Sequence, residues 1–496
     1  MTSDLGALAR DTSLPGFRTK IVCTLGPASA SPETMMRMID AGMNVARLNF
    51  SHGDLDGHRR MIDAVRGAAA AAGRHVAILA DLPGPKIRLG ELVRPVELVT
   101  GDTITLTTDD VVGDATRASV SFANLPQVVH VGGAIYVNDG SVQLEVEAIE
   151  GDDVRCRVIT GGEIGSRKGV NLPGARPGIA AFTVHDRECL RFALEHGVDA
   201  ISQSFVETRA DVDAVRTAAA ELGFADVFVI AKIERDNALA NIGEILDAAD
   251  AIMIARGDLG VETAIERIAM VQKQLARLGR ERGKPVITAT QMLESMTHSR
   301  RPTRAEATDV ANAILDGTDC VMLSGESAIG RYPVEAVAML ARIARATEPH
   351  REAAVADAID GPPGVDPLDE LIARAVAMTV RRRTTAAVFV PTETGASARS
   401  MSRFSIPAWI VALTPHLPTA RRLLFSYGVM PVRVPRLPVD TTSFVHAWLQ
   451  AHPWVGDVAV IASSPSQGAP DDRHRFELVD LRANPPVRLA PPARTD

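Results

Sequence analysis

Lys232 and Glu234 stand two residues apart in the apolar run Val229-Ile-Ala-Lys-Ile-Glu234. On a β-strand that spacing places an ammonium and a carboxylate on one face. Asp258 follows a second apolar run and brings another carboxylate. Carboxylates on neighbouring strands can both reach one hard cation, and Mg²⁺ is commonly held by one or two of them, with water and substrate oxygens completing its shell. Lys232 beside such a metal, with Arg47 opposite, would surround a phosphoryl group in transit with positive charge, which is where its transfer needs stabilising. Gly257-Asp258-Leu259-Gly260 leads into a helical stretch, so free backbone N–H groups there suit a substrate carboxylate. An internal Lys232–Glu234 salt bridge is the alternative use of the same pair.

Such groups need a frame that gathers distant parts of the chain. Short apolar runs near residues 20–25, 44–49, 76–81, 200–205, 227–233, 251–255, 285–290 and 320–324 alternate with amphipathic stretches. This is the rhythm of parallel strands with covering helices. Eight units predict an α/β fold of the (β/α)₈ TIM-barrel kind, and an open doubly wound sheet is the alternative. The C-terminal strand ends of a barrel share one mouth. These runs end at or beside Arg47, Asn49 and Ser51, at Asp81, at Ser204, at Lys232 and Glu234, at Arg256, Gly257 and Asp258, at Thr290 and Gln291, and at Ser324 and Glu326. Hydroxyls at wet strand ends need no special cause. A lysine, two acids and two arginines converging there do, because parallel strands rarely carry charge without a partner or ligand.

The third unit has no helix after it. From 86 to 171 the texture changes to short alternating segments and Gly-Asp turns, which predicts a small β-barrel domain inserted in the catalytic barrel (residues 1–85 and 172–350). Beyond the linker-like Gly361-Pro-Pro-Gly-Val-Asp-Pro367, strands near 386–390, 409–413 and 458–462 predict a C-terminal α/β domain over 351–496, with a proline-rich tail after Asn484.

Bulk properties narrow the function. At 496 residues the chain exceeds one hydrophobic core, and 46% hydrophobic with 23% charged residues is ordinary for a globular protein. A formal charge of −8 gives no electrostatic reason to expect nucleic acid or an anionic membrane as partner. Four scattered cysteines without a C-x-x-C pair argue against a disulfide framework and a zinc site. No apolar run reaches membrane-spanning length and no signal pattern precedes Lys20, so a reducing cytoplasm is expected.

The sequence resembles the pyruvate kinase family over nearly its whole length. Met43-Asn-Val-Ala-Arg-Leu-Asn-Phe-Ser-His-Gly53, Lys232-Ile-Glu234, Ile254-Ala-Arg-Gly-Asp-Leu-Gly-Val-Glu262 and Ala289-Thr-Gln-Met-Leu-Glu-Ser295 match its motifs. So do Gly165-Ser-Arg-Lys-Gly-Val-Asn-Leu-Pro-Gly174, Arg301-Pro-Thr-Arg-Ala-Glu306 and Met322-Leu-Ser-Gly-Glu326. The resemblance implies phosphoryl transfer from phosphoenolpyruvate to ADP, the final step of glycolysis, with Mg²⁺ as cofactor (Mn²⁺ able to substitute) and a homotetramer. It implies phosphoenolpyruvate contacts at Arg47, Lys232, Gly257, Asp258 and Thr290, Mg²⁺ ligands at Glu234 and Asp258, and nucleotide contacts at Asn49, His52, Arg88 and Lys168. Lys168 belongs to an inserted lid. Lys232 would stabilise the phosphoryl group and the enolate, and Thr290, with Ser324 and Glu326 behind it, would relay a proton to the enolate carbon.

Two departures refine the expectation. Asn49, Ser51 and Asp81 match positions that hold a monovalent cation in many family members. Leu82, Lys86 and Leu89, however, resemble members that work without K⁺, while Pro83 resembles neither group. A tethered Lys86 ammonium would replace the ion's charge, so K⁺ is not expected to be required. In the C-terminal domain Thr392, Thr394, Gly395 and Ser397 resemble a loop that holds a phosphorylated allosteric effector. Glu393 and Ala396 are not basic, and a sugar monophosphate, AMP or no effector all stay open, as does a plain turn. Rival readings are another Mg²⁺–enolate enzyme on a barrel, such as a carbon–carbon lyase, and a non-catalytic metabolite sensor.

Overall fold

The computed structural model describes residues 15–175, 178–354, 367–452, 454–464 and 474–482. The greater part of the 361–367 linker and the tail after Asn484 lie outside them. Eight strands form the frame: β1 (Lys20–Thr24), β2 (Val45–Asn49), β3 (Ala77–Asp81), β4 (Ala200–Gln203), β5 (Val229–Ile233), β6 (Ala251–Ala255), β7 (Val286–Ala289) and β8 (Cys320–Leu323). They close in sequence order, with β8 beside β1, and the registers between neighbours such as β1–β2, β5–β6 and β7–β8 are parallel. The barrel reading holds and the open sheet does not. Nearly every strand residue is buried, as expected where side chains fill the barrel on one face and meet helices on the other. This is why the strands read as apolar runs with few polar interruptions.

Local signals explain the helix starts. Ser31 accepts a hydrogen bond from the Thr34 N–H ahead of Pro32, and Thr303 and Glu306 form a reciprocal capping box. The chain has two compact units, Met1–Ala80 with Glu195–Ala200 and Lys273–Asp496, and Asp81–Leu194 with Ile201–Gln272.

The second unit contains the insert, a strongly curled sheet in keeping with the expected small barrel. Its strands pair as a six-stranded sheet and a separate two-stranded ribbon, Gly162–Ile164 against Val96–Leu98. Register shifts along Val142–Glu150 against Asp153–Thr160 curl the sheet, and residues 87–90 bridge its two edges through Arg88–Gly169 and Leu89–Val120. Leu106, Ile135, Leu144, Val154 and Val158 fill its own core.

In the first unit, β9 (Thr385–Pro391), β10 (Ile410–Thr414), β11 (Val429–Arg433), β12 (Val458–Ser463) and β13 (Arg475–Asp480) form a sheet ordered β11-β10-β9-β12-β13. β13 alone runs antiparallel to its neighbour, β12. The sequence pattern missed β11, which is interrupted by Pro431, and β13, which alternates Arg, Glu and Asp with apolar residues. Among the described residues no helix is long and apolar enough to cross a membrane. All four cysteines are free and buried.

Candidate active site

At the ends of β3, β4 and β5, charge is buried and paired. Lys232 Nζ lies 2.9 Å from Glu234 Oε1 and 3.4 Å from Asp81 Oδ1, and donates to Ser204 Oγ at 2.6 Å. Ser202 Oγ donates to Asp81 Oδ1 at 2.7 Å, and Ser204 Oγ donates to the Leu82 carbonyl at 2.7 Å. The Phe205 N–H reaches Glu234 Oε2 at 2.8 Å from a left-handed backbone, φ 57°. An aromatic residue held there is strained, and such strain persists where surroundings over-determine it, often at functional sites. The internal salt bridge that was the alternative for Lys232 and Glu234 therefore exists, but within a larger cluster that also ties down Asp81.

Burial raises the Glu234 carboxyl above its ordinary range; the Lys232 charge opposes this and the Asp258 charge adds to it. Glu234 and Asp258 thus form a mutually repelling oxygen pair. Among the described residues no group of three or more His, Cys, Asp or Glu side chains could hold a metal by itself. Two carboxylates fit a hard divalent cation that takes its other ligands from substrate and water.

The expected helix begins at Arg256 and runs to Glu262, so Gly257 and Asp258 lie in its first turn, where N–H groups lack intrahelical partners. Asp258 Oδ1 meets Lys86 Nζ at 3.0 Å, with Asp139 Oδ1 of the insert 3.6 Å from the same nitrogen. The Lys86 ammonium thus stands against the expected Mg²⁺ ligand, while the ion pair at Asp81 belongs to Lys232. Burial works to lower the Lys86 pKa, but Asp258, Asp139 and Glu234 together raise it. Nearby, burial pushes Glu262 up to about 7 against the pull of Arg235, and Asn171 Nδ2 approaches Glu262 Oε1 at 3.5 Å. On the insert, a bridge between Arg88 and Gly169 sets Arg88 beside the exposed Lys168, and Arg88 donates to the Arg167 carbonyl at 3.0 Å.

The first unit carries a second group. Arg47 donates to Thr24 Oγ1 at 2.8 Å, and Thr24 Oγ1 donates to the Leu323 carbonyl at 2.9 Å, which ties the ends of β2, β1 and β8 together. Glu326 is fully buried, and its two oxygens accept the Leu293 and Ser324 N–H groups at 2.9 and 2.7 Å. It therefore anchors the loops after β7 and β8. Thr290 Oγ1 donates to the Ala289 carbonyl at 2.6 Å from a left-handed backbone, φ 69°. A cavity of about 860 Å³ opens beside these strand ends, lined by Arg47, Asn49, His52, Arg60 and Ser324 among others. That volume suits a nucleotide. Asn49 Oδ1 accepts the Ser51 N–H at 3.2 Å, so Asn49 also holds its own turn.

The sequence-based list omitted Ser202, Asp139 and Glu262. Ser202 was accessible to it: with Ser204 it repeats the two-residue spacing of Lys232 and Glu234. In the C-terminal loop, the Gly395 N–H reaches Thr392 Oγ1 at 2.9 Å and the Ala396 N–H reaches Thr394 Oγ1 at 3.4 Å, so both hydroxyls serve the loop's own backbone.

Comparison with known proteins agrees with this geometry. Residues 17–337 match the family model for the pyruvate kinase barrel domain, and residues 370–461 match that for the pyruvate kinase alpha/beta domain. A pyruvate kinase of Thermococcus litoralis is 50% identical over 423 residues, covering 84% of this chain and 89% of that one. One of Mycobacterium intracellulare is 43% identical over 424 residues, 85% and 88% of the two chains. The crystal structure of a pyruvate kinase from Cryptosporidium parvum superposes with a TM-score of 0.87 at 35% identity, covering 97% of each chain. Such agreement over both halves of the sequence and the whole fold means that this chain belongs to the pyruvate kinase family of phosphotransferases.

Proposed function

We propose that the chain transfers the phosphoryl group of phosphoenolpyruvate to ADP, with Lys232 as the central catalytic group. The observation that carries this reading is the buried Lys232 ammonium held by Ser204, Glu234 and Asp81 at the strand ends. Preorganised in this way, it needs no rearrangement to stabilise charge on the migrating phosphoryl group and on the enolate left behind. Arg47, fixed by Thr24, supplies the opposing positive charge, and the first-turn N–H groups of Gly257 and Asp258 take the substrate carboxylate.

Family membership implies a divalent metal, and Glu234 and Asp258 would hold it as Mg²⁺. When bound, it adds positive charge at the phosphoryl oxygens. The cavity at Asn49 and His52 takes ADP, with Arg88 and Lys168 reaching from the insert as a lid that excludes water. Thr290 delivers the proton to the enolate carbon, while Ser324 and Glu326 set the loop that carries it. Lys86 makes K⁺ dispensable by adding fixed charge at Asp258. A homotetramer and an effector at Thr392, Thr394, Gly395 and Ser397 complete the reading.

A coupled assay for pyruvate formed from phosphoenolpyruvate and ADP tests it. Mg²⁺-dependent pyruvate release in K⁺-free buffer is the expected result. Absence of pyruvate with every divalent metal tried would leave the non-catalytic sensor reading.

A further inference from the structure

The helix that carries Asp258 is short and lightly held. It spans Arg256–Glu262, starts without a side-chain cap, and fully buries only Leu259. Arg256 donates to Gln272 Oε1 at 3.1 Å, and just past the helix end Thr263 Oγ1 donates to Asp236 Oδ1 at 3.2 Å. A helix of this length has little stability of its own, so its position depends on what packs against it.

The insert meets this helix at three points, all within the second compact unit. Where the chain enters the insert, Lys86 Nζ reaches Asp258 Oδ1. Where it leaves, Asn171 faces Glu262. The third point is the hairpin loop 138–141, which joins the paired residues Val137 and Val142. Hairpin loops of this length are mostly built on a right-handed type I turn. Here Asn138, Asp139 and Gly140 are left-handed in succession, with φ 56°, 53° and 86°. The loop is pinned in that shape. The Asn138 N–H and Nδ2 donate to the Gly169 and Glu163 carbonyls at 3.0 and 3.1 Å, and Ser141 Oγ donates to the Asn138 carbonyl at 2.7 Å. Strain of this kind persists only where the surroundings hold it.

Its consequence is a close approach. A methyl group on Gly140 would stand 3.1 Å from Val261 Cγ2, inside ordinary contact distance. A helical valine keeps one strongly preferred rotamer, so the helix rather than the side chain would have to yield. We infer that Gly140 is a positioning residue: through Val261 the insert sets the place of the Arg256–Glu262 helix, and with it Asp258 one turn away, beyond its part as a lid. The consequence for metal binding rests on the proposed Glu234–Asp258 site; the contact with the helix does not.

The test compares Gly140→Ala with Gly132→Ala in the full chain. Gly132 is also left-handed within the insert, φ 81°, but nothing lies within 4 Å of where its methyl group would stand, so it carries the backbone strain without the contact. Hydrogen exchange of the amides of residues 260–263 should be about tenfold faster in Gly140→Ala and within about twofold of normal in Gly132→Ala. Adding Val261→Ala to Gly140→Ala should restore slow exchange. Mn²⁺ binding to the substrate-free chain, read by electron paramagnetic resonance, should weaken about tenfold in Gly140→Ala and recover in the double variant. Equal effects of the two glycine variants, no rescue by Val261→Ala, or unchanged exchange at 260–263 would make Gly140 a turn former only and overturn the inference. So would normal Mn²⁺ binding in Gly140→Ala where Asp258→Asn weakens it. Exchange that speeds up and is rescued as stated, while even Asp258→Asn binds Mn²⁺ normally, would uphold the positioning of the helix and remove the proposed metal site.

Discussion

Lys232 and Lys86 each neutralise carboxylates in the same compact unit, but the two regions are built differently. Lys232 projects from a strand, its side chain is 11% exposed, and its partners lie at the ends of β3, β4 and β5. Lys86 sits where the chain leaves β3 for the insert, its side chain is 25% exposed, and one partner, Asp139, is 74% exposed. Strand-borne charge is held by hydrogen-bonded neighbours that cannot move without opening the barrel. Charge at the insert's root is held by partly exposed groups that solvent can reach. The first region is suited to preorganised electrostatics and the second to adjustment.

The most severe way to break the comparison is Lys232→Met. Removing one preorganised group of this kind typically costs two to three orders of magnitude, so kcat should fall about 10³-fold with a smaller change in KM. Steady-state kinetics with a circular dichroism check of folding reads this, and a near-normal kcat would remove Lys232 from the chemistry. Next come Glu234→Gln and Asp258→Asn. Each takes a charged ligand from a hard cation and should raise the Mg²⁺ needed for half-maximal activity about 10- to 100-fold. Unchanged Mg²⁺ titrations in both variants would exclude the pair as the metal site.

Lys86→Glu sharpens the contrast, because it places a third carboxylate beside Asp258 and Asp139. Activity should drop about tenfold and recover in part on adding K⁺, with Na⁺ as the ionic-strength control. Strong K⁺ activation of the unmutated protein would show that Lys86 does not replace the ion.

The smallest effect belongs to Glu262. Its pKa is raised from 4.5 to about 7, chiefly by burial. The folded state therefore binds more protons than the unfolded state between those values. The resulting stability is fully present below pH 4.5 and is lost as pH rises through 7. Glu262→Gln should remove this dependence, about 1 kcal/mol after discounting for the partly open site. Urea melts at pH 5 and pH 8 measure it; equal pH slopes in both proteins would show that Glu262 does not titrate there.

Periodicity and local chemistry determined a good deal without tertiary information. Apolar runs located all eight barrel strands to within two residues at either end, because a strand buried on both faces has little freedom in composition. The two-residue step placed Lys232 and Glu234 on one face, and Thr303 with Glu306 marked a helix start. What depends on chain closure was not legible. Lys86 meets Asp258 across 172 residues, and Ser202 meets Asp81 across 121. No local pattern encodes which distant carboxylate an ammonium will find. The curled sheet of the insert arises from register shifts, and Gly140 meets Val261 only in the folded chain. Secondary structure follows from the spacing of apolar residues along the chain, whereas the partners of each charge are selected only when loop closure and packing bring separate segments together.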